Sequence, residues 1–149
     1  PGEAFGEHGS YGHEKQLYEE NIHVPLVVHN VPTTASLSEP LPLKRLPQLV
    51  EAATTPATFD PAAFTTDFAV SATDDGATDA VTTRNWKLIK NESGEELYDL
   101  GRDPAEERNL SSERTAQQES LCEILRPHRS HRTEQVRIAE AVNMEGIQL

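Results

Sequence analysis

The stretch from residue 65 to residue 100 constrains the fold most, because it reads as four short strands joined by tight turns. Residues 65–73 alternate, with Thr66, Phe68, Val70 and Ala72 on one face. Asp74-Asp75-Gly76 has hairpin-turn chemistry, and residues 78–83 follow as a second strand. Residues 85–91 carry Trp86, Leu88 and Lys90 on one side, and Glu92-Ser93-Gly94 turns the chain into 95–100. Such a run predicts an antiparallel four-stranded sheet. Trp86, Leu97 and Tyr98 are expected in its core.

The flanks read differently. Residues 1–23 are a glycine-rich polar loop turning into a short helix near 15–21, and 24–31 is a continuous apolar run. Continuity without alternation is the pattern of a strand covered on both faces. On this reading His23 packs or hydrogen-bonds beside that strand and His29 is a core histidine. A proline-punctuated connector leads to a short helix behind Pro47, with Leu46, Leu49, Val50 and Ala53 at helical spacing. The Pro/Thr/Ala segment 54–63 marks the internal boundary, giving expected units of 1–60 and 61–149. Downstream, Asp103-Pro104 reads as a helix N-cap with proline in the first turn. A helix is expected over 112–125, with Leu121, Ile124 and Leu125 as its stripe and Pro127 as its stop. Arg126, His128, Arg129, His131 and Arg132 form a basic cluster at its end, and 133–149 reads as a weak amphipathic helix.

With 149 residues, 36% of them hydrophobic and 5% aromatic, the chain can fill one modest core. Its formal net charge of -12 repels nucleic acid phosphates and anionic membrane surfaces, so neither is an expected partner. That acidity, with abundant Ala, Thr and Asp, is similar to the proteins of a salt-loving archaeon; an ordinary acidic protein is the alternative. Cys122 is the single cysteine, which forbids an internal disulfide. No apolar run reaches the ~18 residues of a membrane span. No basic region followed by an apolar one opens the sequence, which favours a cytoplasmic location.

The chemistry-bearing residues concentrate at the start. Gly2-Glu3-Ala4-Phe5-Gly6-Glu7-His8-Gly9 and Gly12-His13-Glu14-Lys15 set histidines, a lysine and carboxylates among glycines, ahead of an apolar run. Glycine-dense loops at strand ends present ligand-binding groups in open α/β sheets. His8, His13 and His23 do not have zinc-site spacing, and His13-Glu14 fails as a metalloprotease motif because position 17 is Leu17.

Those residues, with Leu17-Tyr18-Glu19-Glu20 and His23-Val24-Pro25-Leu26, resemble the late core motif of the sulfatases, within the alkaline-phosphatase superfamily. A second match follows in order: Trp86-Lys87-Leu88-Ile89, Glu96-Leu97-Tyr98-Asp99-Leu100, Asp103-Pro104, Glu106 and Asn109-Leu110 resemble the hallmark near the sulfatase C-terminus. The resemblance implies an α/β fold: the last part of an alkaline-phosphatase-like core over 1–60, and a C-terminal subdomain of four antiparallel strands with a packed helix over 61–149. It implies hydrolysis of sulfate esters, or of phosphate or phosphonate esters. The family's nucleophile matures from a Cys or Ser in Cys/Ser-x-Pro-x-Arg, beside a calcium or magnesium ion. His13 is similar to the position from which many sulfatases set a Lys or His against the ester oxygens, with Lys15 as runner-up. His8 either lines the same pocket or braces its loop.

The departures matter equally. The family places an Asp followed by His or Asn immediately before the glycine that corresponds to Gly2, and here Pro1 stands there. Cys122 and Arg126 mimic the nucleophile spacing without its proline. The chain therefore reads as truncated, with no metal ligand and no nucleophile of its own, and is expected to be inactive alone. Loss of flanking strands would leave 24–31 with an uncovered edge, so self-association is expected. A non-catalytic acidic interaction module is the alternative.

Overall fold

The computed structural model describes residues 2–12, 15–29, 31, 37–55 and 59–129. It is a mixed α/β chain built on one four-stranded antiparallel sheet with few helices. In chain order the elements are β1 (Ala4–Phe5), β2 (Tyr11–Gly12), α1 (Glu19–Ile22), α2 (Leu46–Ala53), β3 (Phe68–Ala72), β4 (Asp79–Thr83), β5 (Trp86–Asn91), β6 (Gly94–Asp99) and α3, residues 115–129. β1 and β2 pair as a small ribbon, and β3-β4-β5-β6 pair in sequence order.

The register explains the core. Val70, Val81, Leu88 and Leu97 stand opposite one another across all four strands. Leu121 and Leu125 of α3 cover this row, and all but the edge residue Val70 are fully buried. Because side chains alternate, the next residues along face the other way. Ala80, Ile89 and Tyr98 form that second face, closed by Leu17 with Tyr18 and Ile22. The sheet thus lies between α3 and the opening segment. Lys87 shares the second face, pairing with Thr82 and Tyr98.

Local chemistry fixes the turns. Asn91 Oδ1 accepts from the N–H groups of Ser93 and Gly94, and Gly94 supplies the φ of 148° that this tight turn needs. The outer edge of β6 is closed by 109–110: Asn109 Oδ1 accepts from Leu97 N at 3.1 Å and Leu110 N donates to Leu97 O at 2.8 Å.

Several expectations need correcting. The run 24–31 is not a strand in any described residue: 23–29 are irregular, Val27 is 88% exposed, and His29 lies at the surface instead of in a core. An apolar run becomes a buried strand only when neighbours pair with it, and none of the described strands does. The helix near 15–21 shrinks to α1, because 15–18 is used to lay Leu17 and Tyr18 on the sheet. Asp103-Pro104 opens a turn and no helix. There the Asp103 carboxylate accepts from Glu107 N and Arg108 N, and Glu106 departs at φ 54°, which ends any helical path. Among the described residues α3 runs through Pro127 to 129, so the ring does not stop the helix there. The helix behind Pro47 forms as α2, with Leu49 buried and Val50 exposed. Arg126 pairs with Glu123, and Arg129 lies 3.2 Å from buried Asp79. Residues 130–149, including His131, Arg132 and the expected last helix, lie outside the described residues. Among the described residues no helix is long and apolar enough to cross a membrane.

Candidate functional site

The opening loop is held in a demanding shape. Gly6, His8, Gly9 and Gly12 all take positive φ, at 121°, 49°, 72° and 79°. Gly2 donates to Asn21 O at 3.0 Å, and a Cβ there would sit 1.8 Å from Glu20 O, so only glycine fits. Glu7 accepts from Phe5 N at 2.5 Å, and this bond, with one from its own backbone N–H, holds its carboxyl below the usual range.

His8 is the hinge between the loop and the rest of the chain. Its Nδ1 lies 2.8 Å from Glu20 Oε1, and its Nε2 lies 2.9 Å from the carbonyl oxygen of Glu106. The imidazole stacks on Tyr18 with centroids 3.7 Å apart and planes 5° from parallel. A carbonyl can only accept, and so can an ionised carboxylate, so both contacts are hydrogen bonds at once only when the ring carries a proton on each nitrogen. Burial pulls the His8 pKa down, but the Glu106 carbonyl and the Glu20 carboxylate outweigh it and hold it above the usual 6.5.

Behind His8 lies a buried ion cluster. Lys87 is fully buried and donates to Glu19 Oε1 at 3.0 Å. Its ammonium is also 3.0 Å from Glu106 Oε1, in an ion-pair contact. Glu106 Oε2 accepts from Glu19 N at 2.6 Å. Burial pushes the Glu106 carboxyl up, against the pull of Lys87. Beside the cluster, Tyr18 and Tyr98 both donate to Glu96 Oε2, at 2.7 and 2.6 Å. Burial, reinforced by that carboxylate, pushes both phenols well above their usual range.

His8 and Glu106, the two non-glycine residues of positive φ among those described, are bonded to each other. Left-handed backbone at such residues costs roughly 1 kcal/mol each and persists where surroundings over-determine it. Here each is fixed by its partner from the other motif.

Of the candidates named from sequence, His8 is thus largely enclosed, its side chain 16% exposed between two acceptors and a tyrosine ring. Lys15 is largely exposed and pairs with Asp75 at 2.8 Å and Asp74 at 3.6 Å on the β3–β4 turn. Its pKa is raised chiefly by the Asp75 hydrogen bond. His13 lies outside the described residues. Sequence reasoning quoted Lys87, Glu106, Glu19 and Glu20 as motif residues but gave them no task. The available signal was a lysine set beside Leu88 and Ile89 in a chain with only four lysines. Among the described residues, the buried Ser10 hydroxyl and Asn21 side-chain amide have no hydrogen-bond partner.

Cys122 is not set up as a nucleophile. Its Sγ is 3.6 Å from Glu95 Oε2, and burial, with that carboxylate, pushes the thiol pKa up.

No protein-family model matches this chain, and no curated protein matches it. A solved structure of a sulfatase from the glycosaminoglycan-metabolism locus of Bacteroides thetaiotaomicron is similar at a TM-score of 0.40 and 22% identity. The match covers 44% of this chain and 17% of that one. A likeness of that size carries no argument about fold or chemistry, so the functional reading rests on the residues themselves.

Proposed function

We propose that this chain is the C-terminal portion of a sulfatase-like hydrolase of sulfate esters, or of phosphate or phosphonate esters. In this reading residues 1–60 supply the last part of the α/β core with its substrate-side loop, and 61–149 form the C-terminal subdomain. The observation that carries it is the meeting of the two motifs: His8 and Glu19 from the first close on Lys87 and Glu106 from the second. Residues quoted for one family from two distant segments thereby act as one structural unit.

The chemistry asked of the loop is charge neutralisation. An anionic ester gains charge on its non-bridging oxygens and leaving group, and a cation placed against them lowers the barrier. His13 and Lys15 are assigned that contact, and a protonated His13 would give its proton to the leaving group and become neutral imidazole. Lys15 is available at small cost, since an exposed, solvent-screened pair such as Lys15–Asp75 contributes little. His8 is assigned the positioning of that loop.

The described residues do not fit the calcium or magnesium ion that the resemblance implies. No three His, Cys, Asp or Glu among them converge as ligands, and Glu19, Glu20 and Glu106 are engaged by Lys87 and His8. No step is derived through a metal. The second reading, a non-catalytic acidic module, is favoured by one observation: His8 and Lys15 are both already paired within the chain.

Two measurements test the proposal. Coding DNA upstream of Pro1 should hold an in-frame Asp-His or Asp-Asn and, further back, Cys/Ser-x-Pro-x-Arg; a start codon with neither favours the module. Incubation of this polypeptide with an aryl sulfate and an aryl phosphate should give negligible turnover. Robust hydrolysis would refute the claim that its nucleophile and metal ligands lie elsewhere.

A further inference from the structure

We infer that His8 is a proton-controlled clasp: the opening segment docks on the sheet while the imidazole is doubly protonated, and the docking loosens when it loses a proton. The inference is independent of any ester chemistry.

The geometry is specific. The Glu106 carbonyl belongs to the turn after β6, and the Glu20 carboxylate belongs to α1, so the ring bridges two parts of the chain. A neutral imidazole has one N–H and one lone pair. Whichever nitrogen loses its proton then points that lone pair at an oxygen that can only accept. The ring cannot rotate away without leaving its stack on Tyr18.

The surroundings reinforce the charged form. Facing or neighbouring His8 are Glu20 and Tyr18 from the α1 segment and Glu7 from its own loop. From the turn after β6 comes Glu106, behind which lie Lys87 of β5 and Glu19. Next to Tyr18 are Glu96 and Tyr98 of β6. Lys87 is a competing cation, but it is paired with Glu19 and Glu106.

The sign follows from linkage. A histidine whose pKa is raised by folding contributes stability that is complete below its unfolded value, near 6.5, and lost as pH rises through the folded value. Between those two values the docked state holds one proton more than the undocked one, so the docking equilibrium falls by up to about tenfold per pH unit, and above the folded value it levels off. Docking is therefore tightest below about 6.5 and relaxes as the pH rises beyond it.

The test is an NMR titration of the full chain combined with amide hydrogen exchange corrected for intrinsic rates. The His8 ring should show both nitrogens protonated at pH 6 and titrate above 6.5. Protection of Glu19 N–H and Gly2 N–H should decline over the same interval, while Val81 and Leu88 amides of the sheet stay protected. In Glu20→Gln the His8 titration should move to lower pH, and the fall in protection should move with it. In His8→Asn, chosen because Asn tolerates positive φ, protection of Glu19 should lose its pH dependence even if it is weaker throughout. A His8 that titrates at or below 6.5 overturns the inference. So does a raised titration with pH-independent protection in the wild-type chain.

Discussion

At the scale of single residues, the chain places ionisable groups where their protonation is dictated by neighbours. His8 faces two acceptors that favour its charged form; Cys122 is partly buried beside a carboxylate, and both favour its neutral form. The cysteine gives a direct check. Its raised pKa lowers the thiolate fraction at pH 8, so alkylation by iodoacetamide should run slower than that of a free small thiol. Glu95→Gln removes the nearby charge and should speed the reaction. Equal rates for Cys122 and a free thiol would contradict the assignment. The spacing of Cys122 and Arg126 imitates a nucleophile motif, but the proline between them is missing and the surroundings of the thiol favour its neutral form.

At the scale of elements, legibility followed the source of each signal. The four strands of the sheet were readable because alternation and turn residues are local. The short helix behind Pro47 was readable for the same reason. The apolar run 24–31 misled, because an apolar stretch specifies burial but not the partner that provides it, and Leu26 and Val27 are exposed here. Asp103-Pro104 misled because a capping carboxylate serves a turn as well as a helix, and the positive φ of Glu106 settles which. Asn109 shows how one side chain secures an element: its Oδ1 accepts from Leu97 N and also from Ser111 N at 2.9 Å. Asn109→Ala should leave the edge of β6 uncovered and cost about 1–2 kcal/mol in urea unfolding. An unchanged midpoint would show that the edge is secured by other means.

At the scale of the whole molecule, the opening segment and the sheet are one structure because a buried lysine demands it. The partners are 68 residues apart for Lys87 and Glu19, 87 for Glu106 and Glu19, and 98 for Glu106 and His8. No local pattern in a sequence encodes such pairings, so the candidate loop was visible while the cluster that fixes it was not. Removing one member of a buried pair strands the other, which costs about 3–5 kcal/mol, far more than an exposed pair is worth. The pairing is therefore measurable as a coupling. Urea unfolding of the wild-type chain, Lys87→Met, Glu19→Gln and the double variant forms a closed cycle. The account predicts that the two substitutions are non-additive by about 1–3 kcal/mol, the double variant being less destabilised than the sum. Additivity within about 0.5 kcal/mol would mean that Lys87 and Glu19 do not meet, and that the two motifs are not joined.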